Sequence, residues 1–542
     1  MPLCRRFVTR FILTAFFAYG CSAASGFLAF SQDVLTYHNN TSRTGLNSAE
    51  TTLTLSNVNS ASFGRLFTLT VDGRVDAEPL YLSAVPIPGS GTHNLLIVAT
   101  EHDSVYAFDA DSGSPIWHVS TLGSGETTSD DRGCGQVAPE IGITSTPAIQ
   151  RPTGSNGVIY VVAMSKDSSG NYHQRLHALN APTGAERYKS PVEITAKFPG
   201  TGDNSSGGDV VFDPAQYKER SALLITGGVV YLAWSSHCDI RPYTGWIMGY
   251  NPTSLAQESV INVTPNGNEG AIWGAGGGLT SDNLGNIFFL DANGVFDTTL
   301  NSSGFPSSGD YGNAFIRLSA TSSSLTVADY FEMDNGVQES NGDTDLGSGG
   351  AILLPAMKDA SGNSWKLAAG AGKDGNLYIV NRNNMGKFNS GSNKIYQVIS
   401  AALPGGIWSS PAYSGNKLYF GPVGQPILAF QFKNAKLMAA PVSKTSNAFG
   451  YPGATPSISS NNGENAIVWA VENTSPAVLH AYNAANLQEE LYNSNQAADS
   501  RDHFGGGNKF ITPMIANGKV YVGTTNGVGA FGLLPTESAA TK

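Results

Sequence analysis

The fold of this chain is decided by the stretch Leu95-Leu96-Ile97-Val98-Ala99, followed by Ser104-Val105-Tyr106-Ala107-Phe108-Asp109, the turn Asp111-Ser112-Gly113 and Trp117. Two short apolar runs separated by a loop and followed by a polar turn are typical of consecutive antiparallel strands. The same pattern returns at 158–162, 176–180 and 182–184. A repeat of this kind therefore organises the chain, and its period decides the fold.

The repeat has eight copies. The second strand of each copy ends near residues 109, 180, 251, 319, 381, 431, 483 and 532, which are 49 to 71 positions apart. A further short strand precedes most copies and an outer strand follows most of them, so each unit has about four strands, lettered A to D from the inside outwards. Four-strand units of this kind are propeller blades, whereas a β-helix or a pair of β-sandwiches fits units of irregular length less well.

The sequence thus predicts an all-β protein, an eight-bladed β-propeller of four-stranded antiparallel blades. The last copy ends without its outer strand, and a spare apolar strand occurs near the N-terminus at 64–70. We expect this N-terminal strand to complete the last blade and close the ring, because closure removes the exposed edge of an open repeat.

Composition excludes several classes of protein. Only 13 % of the 542 residues are charged, 41 % are hydrophobic and 63 are glycine, which argues against both disorder and a coiled coil. The net charge is -11, so the chain lacks the basic surface that a nucleic-acid partner needs. We therefore expect no nucleic-acid binding.

The N-terminus has the pattern of an export signal. Arg5, Arg6 and Arg10 precede an apolar run at 11–19 that is too short to span a bilayer. No later stretch reaches 18 apolar residues, so we expect no membrane span and a periplasmic or extracellular location. The predicted divisions are a signal peptide at 1–24, an N-terminal segment leading into the ring at 25–62, the propeller at 63–535 and a C-terminal tail at 536–542.

The four cysteines divide into two pairs. Cys4 and Cys21 lie in or beside the signal, and the residues before Cys21 form a poor lipoprotein signal, so lipid anchoring is the less favoured alternative. Cys134 and Cys238 remain in the exported chain and are expected to form a disulfide. The sequence has no Cys-x-x-Cys-His motif, so no c-type haem is expected.

The longest loops fall where B joins C and where D joins the next A, which places them on one face of a propeller. Binding residues concentrate on loops held by a rigid scaffold, so this loop face is the functional candidate. Carboxylates there could bind a hard cation such as calcium, although a solvated acidic rim is the alternative. The unusual residues of these loops are Asp76, Glu78, Glu101, His102, Glu140, Asp239, Trp273, Asp310, Asp345, Lys373, Trp408 and His503.

The segment at 107–117 resembles the tryptophan-docking repeat of the pyrroloquinoline-quinone (PQQ) dehydrogenases. Those proteins are exported eight-bladed propellers that bind the quinone and a calcium ion over the central channel. The resemblance implies PQQ and calcium as cofactors and an oxidoreductase activity. Related repeats also form non-catalytic scaffolds, including an outer-membrane assembly lipoprotein.

Further motifs from about 270 to 386 carry the resemblance to individual residues. It implies that Trp273 stacks on the quinone ring and that Lys373 contacts the quinone carbonyls. Asn293 matches the calcium-ligating asparagine, and Asp310 matches the catalytic base and would lie beside the metal. Asp239 is the acid nearest to the calcium-ligating glutamate. Each residue also has an ordinary alternative as packing, a turn or surface charge.

The chain also departs from the dehydrogenase pattern, because it has no adjacent cysteines and no arginine in the first B–C loop. The stretches at 345–350 and 449–456 resemble instead a bacterial extracellular branch with PQQ-like repeats. Two functions are therefore open. The first is a propeller that binds a ligand or cation at the channel mouth, with a small molecule, a glycan or an envelope protein as partner. The second is a PQQ- and calcium-dependent dehydrogenase that oxidises an alcohol or sugar.

Overall fold

A computed structural model describes residues 32–282 and 284–535. The predicted signal peptide at 1–24 and tail at 536–542 lie outside the described residues. The described chain is all-β, with a single short α-helix, Gly336–Asn341. None of its helices combines the length and apolar character needed to cross a bilayer.

Eight sheets contain at least four antiparallel strands each, and we number them in chain order. Sheet 1 has Leu80–Ile87, Gly91–Ala99, Ser104–Asp109 and Pro115–Ser120; sheet 2 has Ala148–Gln150, Val158–Lys166, Tyr172–Asn180 and Val192–Glu193, with Thr127–Asp130 and Glu140–Ile141 attached. Sheet 3 has Leu224–Thr226, Val229–Ala233, Trp246–Tyr250 and Gln257–Asn262; sheet 4 has Thr280–Ser281, Asn286–Leu290, Phe315–Thr321 and Ser324–Phe331.

The second half of the chain continues the pattern with shorter loops. Sheet 5 has Ile352–Leu353, Leu367–Ala371, Leu377–Asn381 and Gln397–Ile399; sheet 6 has Ala412–Ser414, Lys417–Phe420, Leu428–Lys433 and Ser443–Lys444, with Lys436–Leu437 attached. Sheet 7 has Ser457–Asn461, Glu464–Glu472, Val478–Asn483 and Glu490–Asn493; sheet 8 has Met514–Ala516, Lys519–Gly523, Gly527–Leu533 and Phe63–Thr70.

Smaller elements fill the loops. The short strands are Leu46–Asn47, Lys197–Pro199, Ser205–Ser206, Asp209–Val211, Tyr217–Lys218, Ser235–Ser236, Met357–Lys358 and Ser364–Trp365. The 3-10 turns are Tyr37–Asn39, Pro214–Gln216, Gly274–Gly276, Leu346–Ser348 and Ala498–Ser500.

Sheet 8 combines the two ends of the chain. Phe63–Thr70 pairs antiparallel with Gly527–Leu533, in a register that joins Phe63 to Leu533 and Thr70 to Gly527. The spare strand that the sequence indicates at 64–70 therefore lies in the last sheet, as its fourth strand. Apolar side chains of sheet 8 also share one core cluster with those of sheets 1 and 2.

Alternation along the strands explains why both faces of each sheet are apolar. In Leu367–Ala371, Leu367 and Ala369 belong to the core shared with sheet 6, whereas Ala368 belongs to the core shared with sheet 4. Successive side chains point to opposite faces, so a strand packed between two neighbours reads as a continuous apolar run. This double burial accounts for the low charge of the sequence.

The outer strand of sheet 2 differs from its predicted position. The sequence indicates it at 186–189, but the structure has it at Val192–Glu193, with only an isolated bridge between Leu179 and Glu186. The Glu186 carboxylate receives a 2.6 Å contact from the His177 ring, and a turn bonds Ser190 to Arg187. The chain therefore turns once more before it pairs.

The N-terminal segment, residues 34–50, crosses the first strands of all eight sheets in chain order. Backbone and side-chain hydrogen bonds join Val34 to Tyr81, Leu35 to Ile149, Thr36 to Leu223, Thr41 to Ser281, Ser42 to Leu353, Thr44 to Tyr413, Gly45 to Ile458 and Asn47 to Ile515. These partners lie in or directly before the first strands of sheets 1 to 8. The first strand of a sheet has an unpaired edge, so this segment satisfies backbone groups that would otherwise lack partners.

Arg43 is the most connected side chain of this segment. Its guanidinium donates to the Thr36 hydroxyl at 2.6 Å, to the Tyr37 carbonyl at 2.9 Å, and to the carbonyls of Leu223 at 3.2 Å and Leu279 at 3.0 Å. The residue is only 1 % exposed. A buried cation is tolerated only when its donors are satisfied, and these four acceptors supply that.

Glu78 lies beside the same segment, where the His38 backbone N–H donates to Oε2 at 2.8 Å and Oε1 has no hydrogen-bond partner. Burial raises the pKa of Glu78 from 4.5 to about 8, opposed by the His38 hydrogen bond and by Arg43. Burial disfavours the charged carboxylate, so the folded protein holds a proton there that the unfolded chain would release.

We predict that Arg43→Met lowers the free energy of unfolding by about 3 kcal/mol, because it leaves buried carbonyls without donors. Denaturant unfolding followed by fluorescence measures the change. Arg187→Met, at an exposed position, is the matched control and should change little. Equal stabilities of the two variants would contradict the prediction.

We predict that Glu78→Gln weakens the pH dependence of stability. A carboxyl whose pKa rises on folding stabilises the protein most below its unfolded pKa, and this contribution is lost as the pH rises through the folded value. Between pH 5 and 8, the loss of unfolding free energy should be roughly 3 to 4 kcal/mol smaller in the variant than in the wild type. Glu464→Gln, at an exposed site, should follow the wild-type curve. A Glu78→Gln curve that coincides with it would disprove the assignment.

Candidate functional site

A cavity of about 230 Å³ opens on the predicted loop face. Its wall comes from the loops that lead into sheets 2 to 8, together with loops inside sheets 3 and 5. The lining residues are Gln136, Val137, Arg220, Cys238, Asp239, Trp273, Ala275, Asp343, Asp345, Ser348, Lys373, Trp408, Tyr451 and Phe510.

Aromatic rings form much of this wall. Trp408 and Tyr451 meet edge to face with centroids 6.1 Å apart, and the guanidinium of Arg220 lies 5.6 Å from the centre of the Phe510 ring. Arg220 is 3 % exposed and donates to the Thr144 carbonyl at 2.9 Å. Rings and a fixed guanidinium are the groups that hold flat, anionic molecules.

Lys373 organises the acidic side of the cavity. Its ammonium lies 2.6 Å from Asp343 Oδ1 and 2.6 Å from Asp345 Oδ2. Asn293 adds two hydrogen bonds, from its backbone N–H to Asp345 Oδ1 at 2.8 Å and from Nδ2 to Asp343 Oδ1 at 3.0 Å. Burial would lower the pKa of Lys373, but the two carboxylates raise it above its usual value, so the ammonium stays charged.

The predicted disulfide between Cys134 and Cys238 is confirmed, with Cα atoms 5.4 Å apart. Lys218 lies beneath it, fully buried, with Nζ 3.9 Å from Cys134 Sγ and 5.1 Å from the centre of the Trp273 ring. Within residues 32–282 and 284–535, no carboxylate lies within ion-pair distance of this amine. Burial lowers the pKa of Lys218 to about 7, and nearby Arg220 adds to the effect.

Of the residues that sequence reasoning assigned, the cavity brings Trp273, Lys373 and Asp239 together. Asn293 lies directly behind them. Asp310 is elsewhere: its carboxylate accepts from the Asn266 backbone N–H at 2.9 Å and from the Ser308 hydroxyl at 2.7 Å, and it does not line the cavity. The carboxylates that lie beside Lys373 are those of Asp343 and Asp345 instead.

The donor groups fit a quinone better than they fit calcium. In the described part of the chain, no three His, Cys, Asp or Glu side chains come close enough together to hold a metal ion. Lys373 pairs with both Asp343 and Asp345, which leaves these three groups with one net negative charge, and Asp239 accepts from the Tyr243 hydroxyl at 2.7 Å. Of the three residues that the sequence assigns to calcium, Asn293 has a buried oxygen without a hydrogen-bond partner in the described part of the chain. Of the predicted calcium ligands, Asp239 lines the cavity, Asn293 contacts Asp343 and Asp345 beside it, and Asp310 does not line it, so the calcium site stays a prediction.

Sequence reasoning missed Arg220, Tyr451 and Phe510 as lining residues. A signal for two of them was present in the repeat itself. Arg220, Ser348, Trp408 and Phe510 each lie four positions before the first strand of their sheet. Equivalent repeat positions converge at a channel mouth, so aligning the units on their first strands would have found them.

Glycines let the N-terminal segment approach the cavity from below. A Cβ at Gly276, whose φ is +88°, would lie 2.7 Å from the Arg220 guanidinium, and one at Gly277 would lie 2.5 Å from Ser410 Oγ and 3.2 Å from the Tyr37 ring. The Tyr37 hydroxyl also accepts from Thr512 at 3.2 Å. Residues 34–50 therefore lie directly against the loop whose Ala275 lines the cavity.

Comparison with known proteins shows which solved structures are similar to this chain. Residues 57–235 match the PQQ_2 family, described as outer membrane protein assembly factor BamB. No curated protein matches the chain closely enough to be counted a relative. Quinohemoprotein alcohol dehydrogenase from Comamonas testosteroni is similar in structure, with 14 % identity, a TM-score of 0.62, and coverage of 94 % of this chain and 82 % of that one.

Two further structures are similar over nearly the whole chain. Quinohemoprotein alcohol dehydrogenase ADHIIG from Pseudomonas putida HK5 has 12 % identity, a TM-score of 0.58, and coverage of 94 % of this chain and 82 % of its own. A europium-containing methanol dehydrogenase has 12 % identity, a TM-score of 0.56, and coverage of 93 % and 98 %. The family match thus covers residues 57–235, and the three solved structures share the fold of the chain.

Proposed function

We propose that this chain is an exported PQQ-like propeller that binds a flat, anionic aromatic molecule in the cavity of its loop face. The observation that carries the proposal is the combination, in one cavity, of ring faces with the cations Arg220 and Lys373. Stacking on Trp273 and Trp408 would hold the plane of the ligand, and Arg220, whose Nε has no hydrogen-bond partner in the described part of the chain, would hold a carboxylate of the ligand.

The architecture supports a ligand-binding role. We propose that the eight sheets are blades, that Phe63–Thr70 closes the ring, and that 63–535 form the propeller domain. The packing of sheet 8 against sheet 1 and the ordered contacts of residues 34–50 support this arrangement. A closed, plugged ring makes a rigid base for loops, which is what a preorganised site requires.

Export follows from the proposed signal at 1–24 and from the disulfide, because disulfides persist in oxidising compartments. We propose a periplasmic or extracellular location for the mature protein. A glycan or an envelope protein on the loop face is a less favoured partner, because the aromatic cavity is small and its polar groups converge inward.

We predict that PQQ, used as a probe of the proposed ligand class, quenches tryptophan fluorescence in a saturable titration. Trp273→Ala and Lys373→Met should each weaken the affinity about tenfold, because one removes a stacking face and the other a cation. Lys358→Met, at an exposed position that does not line the cavity, is the matched control. Absence of saturable binding by PQQ and by other planar aromatic carboxylates would overturn the proposal.

A second candidate function is oxidation of an alcohol or sugar, and the contact between Asp345 and Lys373 favours it. A quinone such as PQQ would supply the electron acceptor. Asp345 would accept the hydroxyl proton of the substrate, and Lys373 would stabilise negative charge that develops beside it. Burial of Asp345, which is 4 % exposed, excludes water from the proton it would receive.

We predict that, if dye reduction with added PQQ is observed, Asp345→Asn lowers kcat about 100-fold, since the base is lost. Asp310→Asn should retain the wild-type rate, because the hydrogen bonds of Asp310 lie outside the cavity. If Asp310→Asn lost activity and Asp345→Asn kept it, Asp310 and not Asp345 would be the catalytic base. Absence of turnover over alcohols and sugars, with PQQ still bound, would leave the binding function and remove the enzymatic one.

A further inference from the structure

The loop at 131–139, which we name the rim strap, reaches across the mouth of the cavity. It joins Thr127–Asp130 to Glu140–Ile141 at the edge of sheet 2. Its far side contacts the loops before sheets 7 and 8: the Tyr451 hydroxyl donates to Gln136 Oε1 at 2.9 Å, and Lys509 Nζ donates to the Gly135 carbonyl at 3.1 Å. Gln136 and Val137 line the cavity, so the strap forms part of its cover.

Two kinds of attachment hold the strap. The contacts to Tyr451 and Lys509 are hydrogen bonds in exposed surroundings, each of which contributes only about 1 kcal/mol. The disulfide from Cys134 to Cys238 is covalent and fixes the strap to the loop of sheet 3. Arg132 of the strap also donates to the Ala215 carbonyl at 3.1 Å and to the Tyr172 hydroxyl at 2.9 Å, so the disulfide adds a covalent cross-link to several weaker contacts that keep the strap at the mouth.

The two sulfur-bearing residues have unequal surroundings. Cys238 is exposed and lines the cavity, whereas Cys134 is buried with 0 % exposure. The buried amine of Lys218 lies 3.9 Å from Cys134 Sγ and has no carboxylate partner among the described residues. A cation beside a sulfur stabilises its thiolate, which makes that sulfur the better leaving group in thiol–disulfide exchange.

We propose that Cys134–Cys238 is a thiol-sensitive latch, and that its reduction by a dithiol releases the rim strap and opens the cavity. This inference rests on the proposed function only in that the cavity is taken as the ligand site. The unequal exposure of the two cysteines and the position of Lys218 explain which sulfur leaves. The contacts of the strap explain why reduction would open the cavity.

Reduction by the dithiol takes place in two thiol–disulfide exchange steps. One thiolate of the dithiol attacks Cys238 Sγ, the disulfide bond breaks, and Cys134 leaves as a thiolate beside the Lys218 ammonium. The second thiol of the reductant, once deprotonated, attacks the mixed disulfide, which releases Cys238 and forms the intramolecular disulfide of the reductant. Two electrons and two protons pass from the dithiol to the protein.

The test begins with hydrogen exchange of the full exported chain, without ligand, before and after treatment with dithiothreitol. Reduction should speed exchange within 131–139 and at the Cys238 loop while leaving the eight sheets unchanged. Exchange that stays slow in the strap, or that rises throughout the sheets, would overturn the inference. The double variant Cys134→Ser/Cys238→Ser should show the fast strap exchange without reductant.

A second measurement addresses Lys218. The rate of disulfide cleavage by dithiothreitol, followed by alkylation and mass spectrometry, should fall roughly three- to tenfold in Lys218→Met. Lys218→Arg keeps the charge and should keep a near wild-type rate, while Lys358→Met serves as the surface control. Equal rates in Lys218→Met and the wild type would remove Lys218 from the proposal.

The kinetics of PQQ binding distinguish a failure of this inference from a failure of the proposed function. Association and dissociation of PQQ should both be faster in the reduced protein, because the strap no longer covers the mouth. Unchanged PQQ kinetics despite a released strap would overturn the latch and leave ligand binding in place. Failure of PQQ to bind in either redox state, with the strap still released by reduction, would overturn the proposed function alone.

Discussion

The hydrogen bonds between residues 34–50 and the first strand of every sheet are the constraint on which the structure depends. The first strand of a sheet has one edge paired and the other unpaired, and unpaired backbone groups inside a protein are costly. Each of the eight sheets has such an edge. A single segment that contacts them in chain order supplies partners for several at once, and Arg43 supplies four further donor contacts from one side chain.

The cavity follows from that arrangement. Tyr37 and the glycines around Gly276 lie close together beneath the cavity. The cavity is therefore closed on that side, and the loops form its walls. Into this space, equivalent positions of the repeat bring side chains of different chemistry: Arg220, Ser348, Trp408 and Phe510. The fold fixes where these side chains are, whereas the sequence at each position fixes what they can bind.

Much of the fold could be read from the sequence, because burial of both faces makes strands into apolar runs with regular spacing. The strand at 64–70 was found by its pattern and by the missing strand of the last repeat. The prediction for the outer strand of sheet 2 was wrong. The polar contacts of Glu186 and the turn at Arg187 shift the pairing of this strand to later residues, and neither feature produces a periodic pattern in the sequence. The path of residues 34–50 was also not predictable, since its irregular backbone has no repeating pattern.

The candidate site was predictable in part. Trp273, Lys373 and Asp239 meet as the motifs indicate, but motif order could not distinguish Asp310 from Asp345 as the partner of Lys373. The loop around Asp310 turns its carboxylate towards Asn266 and Ser308, and only the three-dimensional path reveals this. Lys218 has no sequence signal at all, because its importance comes from its burial beside Cys134 Sγ.

The route of the N-terminal segment has a consequence for the order of assembly. Leu46 pairs with Ile458, and Phe63 pairs with Leu533. Strands synthesised early therefore find their partners only among strands synthesised late. Contacts this distant in sequence carry a large loop-closure cost and slow folding. Early sheets can form and stack as they appear, but the central segment obtains its last partners only when the chain is whole. A chain cut short before sheet 8 would leave Phe63–Thr70 without its partner strand, which is the kind of exposed edge that leads to aggregation.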